Sequence, residues 1–363
     1  MTTMGANFVS THYLANSLVA PVMQAESQLT TAMTELSTGQ YADLGLQLGD
    51  QSGYELSLKE QVGQLQALTK GNSVVAITMS TAQNALTSIA TSAQTTMENL
   101  AGWTAGSISA GSQLQLSGQT ALQDLISSAN ATSGDVYVFG GINSTVAPLP
   151  DTATNNFYST VTSAVQTAFN ADFPNPGTAD AAQANTFLSN VATLFTNSAW
   201  TTTAGWSQAS GVNTTAEIVP GQHVTTSTSV SPNVTAADPN PPPTAFQQLT
   251  QAYALLAVVG GSGLSSTAQQ AVVTAAESLI SQGQTSLTNT QAALGATQSQ
   301  VTDANNSMSS QLTILQDQIG NLDDVNATAT AAQITSLTNQ VQMAYELTSR
   351  LSQLNLAQYL PVA

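Results

Sequence analysis

Residues 287–322 read LTNTQAALGATQSQVTDANNSMSSQLTILQDQIGNL, and within them Leu287, Leu294, Val301, Met308, Leu315 and Leu322 recur at an unbroken step of seven. Such a step places a narrow apolar stripe on a long helix, and the stripe is stable only when a second helix covers it. A second set follows at Ile334, Leu337, Val341, Ala344, Leu347, Leu351 and Leu354, ahead of Tyr359 and Leu360. The fold therefore turns on which segment supplies the covering helix.

Two segments near the N-terminus qualify. Over 13–36 the apolar positions Leu18, Val22, Ala25, Leu29, Ala32 and Leu36 are spaced by three and four, and Gly39 stands where a helix C-cap is expected. An irregular piece spans 40–50. Over 54–100, Leu58, Leu65, Asn72, Met79, Leu86, Ala93 and Leu100 keep the step of seven. A helix of that span is roughly 70 Å long at 1.5 Å per residue. Its one polar member, Asn72, follows Lys70-Gly71 and reads either as a kink or register device or as local fraying. A Gly/Ser/Ala loop over 103–111 leads to a third helix over 112–131.

The chemistry then changes. Val136-Tyr137-Val138-Phe139, closed by Gly140-Gly141, is a short β-rich run, and 143–245 is rich in Thr, Asn and Pro. Helical spacing recurs near 158–170 and 179–195. Strands are expected at 216–219 and 223–230 around the Pro220-Gly221 turn. Pro241-Pro242-Pro243 cannot be helical and marks a boundary. Helix resumes over 245–259, breaks at Gly260-Gly261-Ser262-Gly263, and restarts near Ser266. The expected architecture is mainly α: a long antiparallel helical rod made by both ends of the chain, with a smaller α+β or β outer domain inserted. Its parts are an N-terminal arm (1–145), the inserted domain (146–244) and a C-terminal arm (245–363).

Composition narrows the functions. The chain has 363 residues, no Cys, and three basic residues (Lys59, Lys70, Arg350) against twenty acidic ones, a formal net charge of −17. That sign repels phosphate, which argues against nucleic acid and anionic membrane surfaces. Without Cys there is neither a disulfide framework nor a thiolate metal site. No basic n-region and apolar run marks a leader at the start, so export, if it occurs, is expected to use a route without a cleaved signal. Enzyme chemistry lacks its usual groups. His12 and His223 fall in different expected domains, and there is neither a G-x-S-x-G nucleophile elbow nor a base to activate a Ser or Thr. The glycine cluster at 260–263 lacks the Lys of a phosphate loop. Asp323-Asp324, the one adjacent acidic pair singled out, reads as a solvated helix start. No catalytic residue, cofactor or metal is expected.

Several motifs together resemble the bacterial flagellin family, and within it the hook-associated branch. Leu36-Ser37-Thr38-Gly39 is similar to that family's turn after the first helix. Gly134-Asp135-Val136-Tyr137-Val138-Phe139-Gly140-Gly141-Ile142-Asn143-Ser144-Thr145, followed by Pro148, resembles a strand-turn of the hook-associated branch that filament flagellins lack. Leu322-Asp323-Asp324-Val325-Asn326 resembles the element before the last helix, and Leu354 to Leu360 the apolar ending. The family's basic residue after the first turn is Gln40 here, and its acidic stretch near the end is replaced by Asn326-Ala327-Thr328-Ala329.

The resemblance implies a structural, self-assembling component of the flagellum. Such a chain forms a homo-oligomeric ring layer and contacts a neighbouring hook-associated protein and filament flagellin. It is exported through the flagellum's own channel with a chaperone, and its middle domain faces outward. The residues expected to carry subunit assembly are Leu18, Val22, Leu29, Leu36, Ile334, Leu337, Val341, Leu347, Leu351, Leu354, Tyr359 and Leu360. A filament flagellin, and a secreted coiled-coil adhesin or effector, are the alternatives.

Overall fold

The structure, a computed structural model, describes residues 11–103, 108–152, 156–203 and 206–353. Its main helices are α1 (Thr11–Thr38), the short α2 (Leu44–Leu48), α3 (Ser52–Ala101), α4 (Ile108–Ala129), α5 (Phe157–Asp172), α6 (Ala181–Leu194), α7 (Ala245–Val259), α8 (Ser266–Asp323) and α9 (Ala327–Gln353). Two small antiparallel hairpins, β1 (Thr132–Ser133) with β2 (Val136–Tyr137) and β3 (Thr215–Val219) with β4 (Gln222–Thr225), complete it. The chain is thus mainly helical, with long helices from both ends of the sequence packed in pairs and a smaller insertion carrying strands. It divides into two compact units, residues 1–65 with 310–363 and residues 66–309.

The larger unit holds most of the buried apolar side chains. Met79, Leu86, Ile89, Ala93 and Leu100 of α3 and Leu287, Leu294, Val301 and Met308 of α8 are all buried. The step of seven in each helix thus lies on its covered side. The two helices run antiparallel: Asn72 Nδ2 donates to Asn305 Oδ1 (2.9 Å), and Gln83 Nε2 donates to the Gln291 carbonyl (2.8 Å). Helix α3 passes through Lys70-Gly71-Asn72 without a break.

Helix α7 is buried at nearly every position, as expected of a helix that is apolar all round. It starts at Thr244, directly after the prolines. The Thr244 hydroxyl accepts from Gln247 N while Gln247 Oε1 accepts from Thr244 N, a reciprocal cap. Buried Gln247 spends its amide hydrogens on the Phe195 carbonyl and Asn197 Oδ1, so its burial leaves nothing unpaired. Helices α4 and α7 approach so closely that a Cβ on Gly118 would sit 2.5 Å from Ala257 N and 2.8 Å from the Tyr253 carbonyl. Only glycine fits there.

The Thr/Asn-rich middle sequence builds its own aromatic core on this platform. Phe157 meets Trp200 edge-on at 5.9 Å, Phe169 meets Phe187 at 5.9 Å, and Phe195 meets Trp206 at 4.9 Å. Phe139 packs on Phe246 of α7 at 5.3 Å, so this core continues into the helices around it.

Two expectations need correction. The loop before α4 is shorter than 103–111, because α4 already begins at Ile108 and carries Gly111 in its first turns, against the Gly260 backbone. The strand expected over 223–230 ends at Thr225. Beyond it Val230 N donates to the Phe139 carbonyl and Ser229 bridges Gly140, so the chain leaves the hairpin to pair with the earlier β-rich run.

Candidate assembly surface

The smaller unit reverses the usual balance of inside and outside. Among its described residues five apolar side chains are buried: Ala32, Leu58, Leu65, Leu337 and Val341. Eleven large apolar side chains are exposed, with Leu46, Met23 and Met343 among the most open. A chain that stays alone rarely exposes contiguous apolar patches larger than a few hundred square ångströms, and larger ones mark an interaction face.

Helices α1 and α9 pack along each other. On α1 the covered stripe is Val22, Ala25, Leu29 and Ala32; on α9 it is Thr330, Ile334, Leu337, Val341 and Ala344. The pair is antiparallel, since the Tyr345 hydroxyl donates to Glu26 Oε1 while Gln40 pairs with Asp324 at the other end. That hydrogen bond to the Glu26 carboxylate, followed by its charge, raises the Tyr345 pKa above its ordinary value.

The expected assembly residues therefore divide. Val22, Leu29, Ile334, Leu337 and Val341 come together inside the α1–α9 pair. Leu36 (40% exposed) and Leu347 (49% exposed) point outward. Leu18 and Leu351 belong to α1 and α9, but their side chains lie outside the described residues, as do Leu354, Tyr359 and Leu360 altogether. Outward Val19, Met23 and Met33 on α1, and Met343 on α9, were not among the expected assembly residues. They sit on the flanks of the stripe, where three-and-four spacing gives no signal. Exposed methionines are a surface that adapts to the shape of a partner.

Both flagellin-like turns lie in this unit, and they are hydrogen-bonded to each other. Gly39 takes the left-handed conformation (φ 77°) and donates back to the Glu35 carbonyl, closing α1 as a C-cap. Its own carbonyl accepts from Val325 N (2.9 Å), and Tyr41 N donates to the Asp323 carbonyl (3.0 Å). Motifs nearly three hundred residues apart in sequence thus form one two-way clasp.

Asp323 corrects the solvated-helix-start reading. It is the last residue of α8 and its side chain is 1% exposed. What permits the burial is Lys59, whose Nζ stands 2.9 Å from Asp323 Oδ2 and also pairs with Glu55 one turn earlier on α3. The hydrogen bond to Glu55, then that to Asp323, raises the Lys59 pKa above 10.5. The next helix start belongs instead to Asn326, whose Oδ1 accepts from Thr328 N and Ala329 N.

Among the described residues no group of three or more His, Cys, Asp or Glu side chains is placed to hold a metal, and no helix is long and apolar enough to cross a membrane. A groove of about 620 Å³ between α3 and α4 is lined mainly by Ser and Thr. Several of these hydroxyls donate to carbonyls of their own helix, as Thr87 and Thr91 do to Gln83 and Thr87.

Residues 9–144 match the bacterial flagellin N-terminal helical region and residues 277–360 the bacterial flagellin C-terminal helical region. No curated protein matches the chain. The two matched regions take in more than half of the sequence and include both halves of the clasp, and the chain belongs to the bacterial flagellin family. The family is structural and self-assembling, and its members are extracellular components of the flagellum.

Proposed function

We propose that this chain is the hook-filament junction protein, of the hook-associated protein 3 type, forming a ring layer between hook and filament. The observation that carries this reading is the Gly134-to-Pro148 segment, whose pattern resembles that branch. The segment is a built element. Gly141 is left-handed (φ 61°), a Cβ placed on it would lie 2.6 Å from the Val212 carbonyl oxygen, and Ile142 N donates to that same carbonyl. Phe139 anchors it in the core.

On this reading the outward apolar side chains of α1 and α9 meet neighbouring copies, and the inserted residues 146–244 form the outer domain between the two arms. The partners are a hook-associated neighbour on one side and filament flagellin on the other. A dedicated chaperone accompanies export, which needs no cleaved leader.

Immunogold labelling of isolated flagella tests the reading. A single narrow labelled zone at the distal end of the hook is expected, and cells lacking the chain should carry bare hooks and shed flagellin into the medium. Label along the whole filament would make the chain a filament flagellin, and normal filaments in its absence would remove the junction role.

A further inference from the structure

Apolar positions that repeat every seven residues leave two helices free to slide by seven, because leucines again meet leucines. In the larger unit Met79, Leu86, Ala93 and Leu100 on α3, with Leu287, Leu294, Val301 and Met308 on α8, are all buried and supply no preference between such registers. Asn72 stands in the same row and is 1% exposed. Both hydrogens of its amide are used: Nδ2 donates to Asn305 Oδ1 at 2.9 Å and to the Ile218 carbonyl at 2.8 Å.

Ile218 belongs to the β3–β4 hairpin and is itself buried against Val301 and Ala304 of α8. The hairpin therefore touches α8 through an apolar side chain and α3 through a backbone carbonyl. If α8 slid by seven, Leu312 or the longer Gln298 would replace Asn305, and the hairpin would be carried away from Asn72. A buried amide deprived of its acceptors costs more than the same bonds gain when made. One polar residue in an otherwise apolar seam fixes register in this way, at some expense in stability.

We propose that Asn72, Asn305 and the Ile218 carbonyl form a register lock, which selects one alignment of α3 against α8 and fastens the β3–β4 hairpin to it. The uninterrupted course of α3 through Asn72 fits a register device and neither a kink nor fraying.

The chain has no Cys, so engineered pairs report register directly. In the full-length chain, T87C/Q291C reads the native alignment, since Gln291 Nε2 donates to Thr87 Oγ1, and T87C/Q298C and T87C/Q284C read slips of seven in the two directions. The unaltered background should cross-link through the first pair alone. In N72L/N305L, with helicity and melting temperature retained, the ratio of slipped to native cross-link should rise about tenfold. Amides of residues 215–225 should lose protection together with that rise. N305A removes one of the two acceptors and should give a smaller rise. Native-only cross-linking in both variants would overturn the lock. Loss of both cross-links together with helicity would overturn it too, assigning Asn72 to general folding.

Discussion

Lys59 Nζ lies 2.9 Å from Asp323 Oδ2, joining a side chain early in α3 to the last residue of α8 at the point where the two flagellin-like turns clasp. Replacing Lys59 with Met keeps the aliphatic stem and leaves a buried carboxylate without its cation. Removing one partner of a fully buried pair costs about 3–5 kcal/mol; the exposure of Lys59 brings the expectation down to about 1–3 kcal/mol. Denaturant unfolding followed by a probe in the smaller unit measures it.

The same pair sets a pH dependence. The folded Lys59 pKa is raised above 10.5, so its contribution is fully present below that value and is lost as pH climbs through the raised one. Stability of the smaller unit should fall on that alkaline limb, and K59M should flatten it. An unchanged limb in K59M would assign the loss to other groups.

Gly118→Ala should destabilise the larger unit by about 2–4 kcal/mol, because the new methyl meets backbone of α7 on two sides and backbone yields poorly. Gly71→Ala in α3 meets nothing within 4 Å and should instead stabilise by about 0.5–1 kcal/mol through helix propensity alone. Thermal melts of the two variants, side by side, separate contact from propensity.

Tyr253 is fully buried, and its hydroxyl has no hydrogen-bond partner among the described residues. Burial raises its pKa well above the ordinary phenol value. Tyr253→Phe keeps the ring and removes an unpaired polar atom, so a gain of about 1 kcal/mol is expected. A loss of that size would mean that the hydroxyl is bonded in solution.

Met23→Glu and Leu347→Glu place charge on outward positions and should shift monomer stability by no more than about 0.5 kcal/mol. Sedimentation of assembled material should show polymer formation greatly reduced in the pair. Unimpaired polymers would mean that assembly uses another face.

The long helices were legible because a step of seven survives any detail of the partner: the stripes over 58–100 and 287–308 became the covered seam. Gly39 was legible as a cap because only local geometry decides it. The contact of Gly118 with Ala257 was not, since close approach between residues so far apart leaves no local trace. Asp323 misled for a related reason. An acidic pair reads as solvated until its counterion is known, and Lys59 sits more than two hundred and fifty residues earlier. The aromatic core of the middle residues escaped because Phe157, Trp200 and Trp206 are scattered through a polar sequence with no shared period.

The outward Val19, Met23, Met33 and Met343 also carry a thermal signature. Covering apolar surface lowers heat capacity, and near room temperature its driving force is entropic. An assembly joined through these side chains is therefore held more tightly on warming and loosened by cold, so chilled polymer should shed subunits that return when it is warmed.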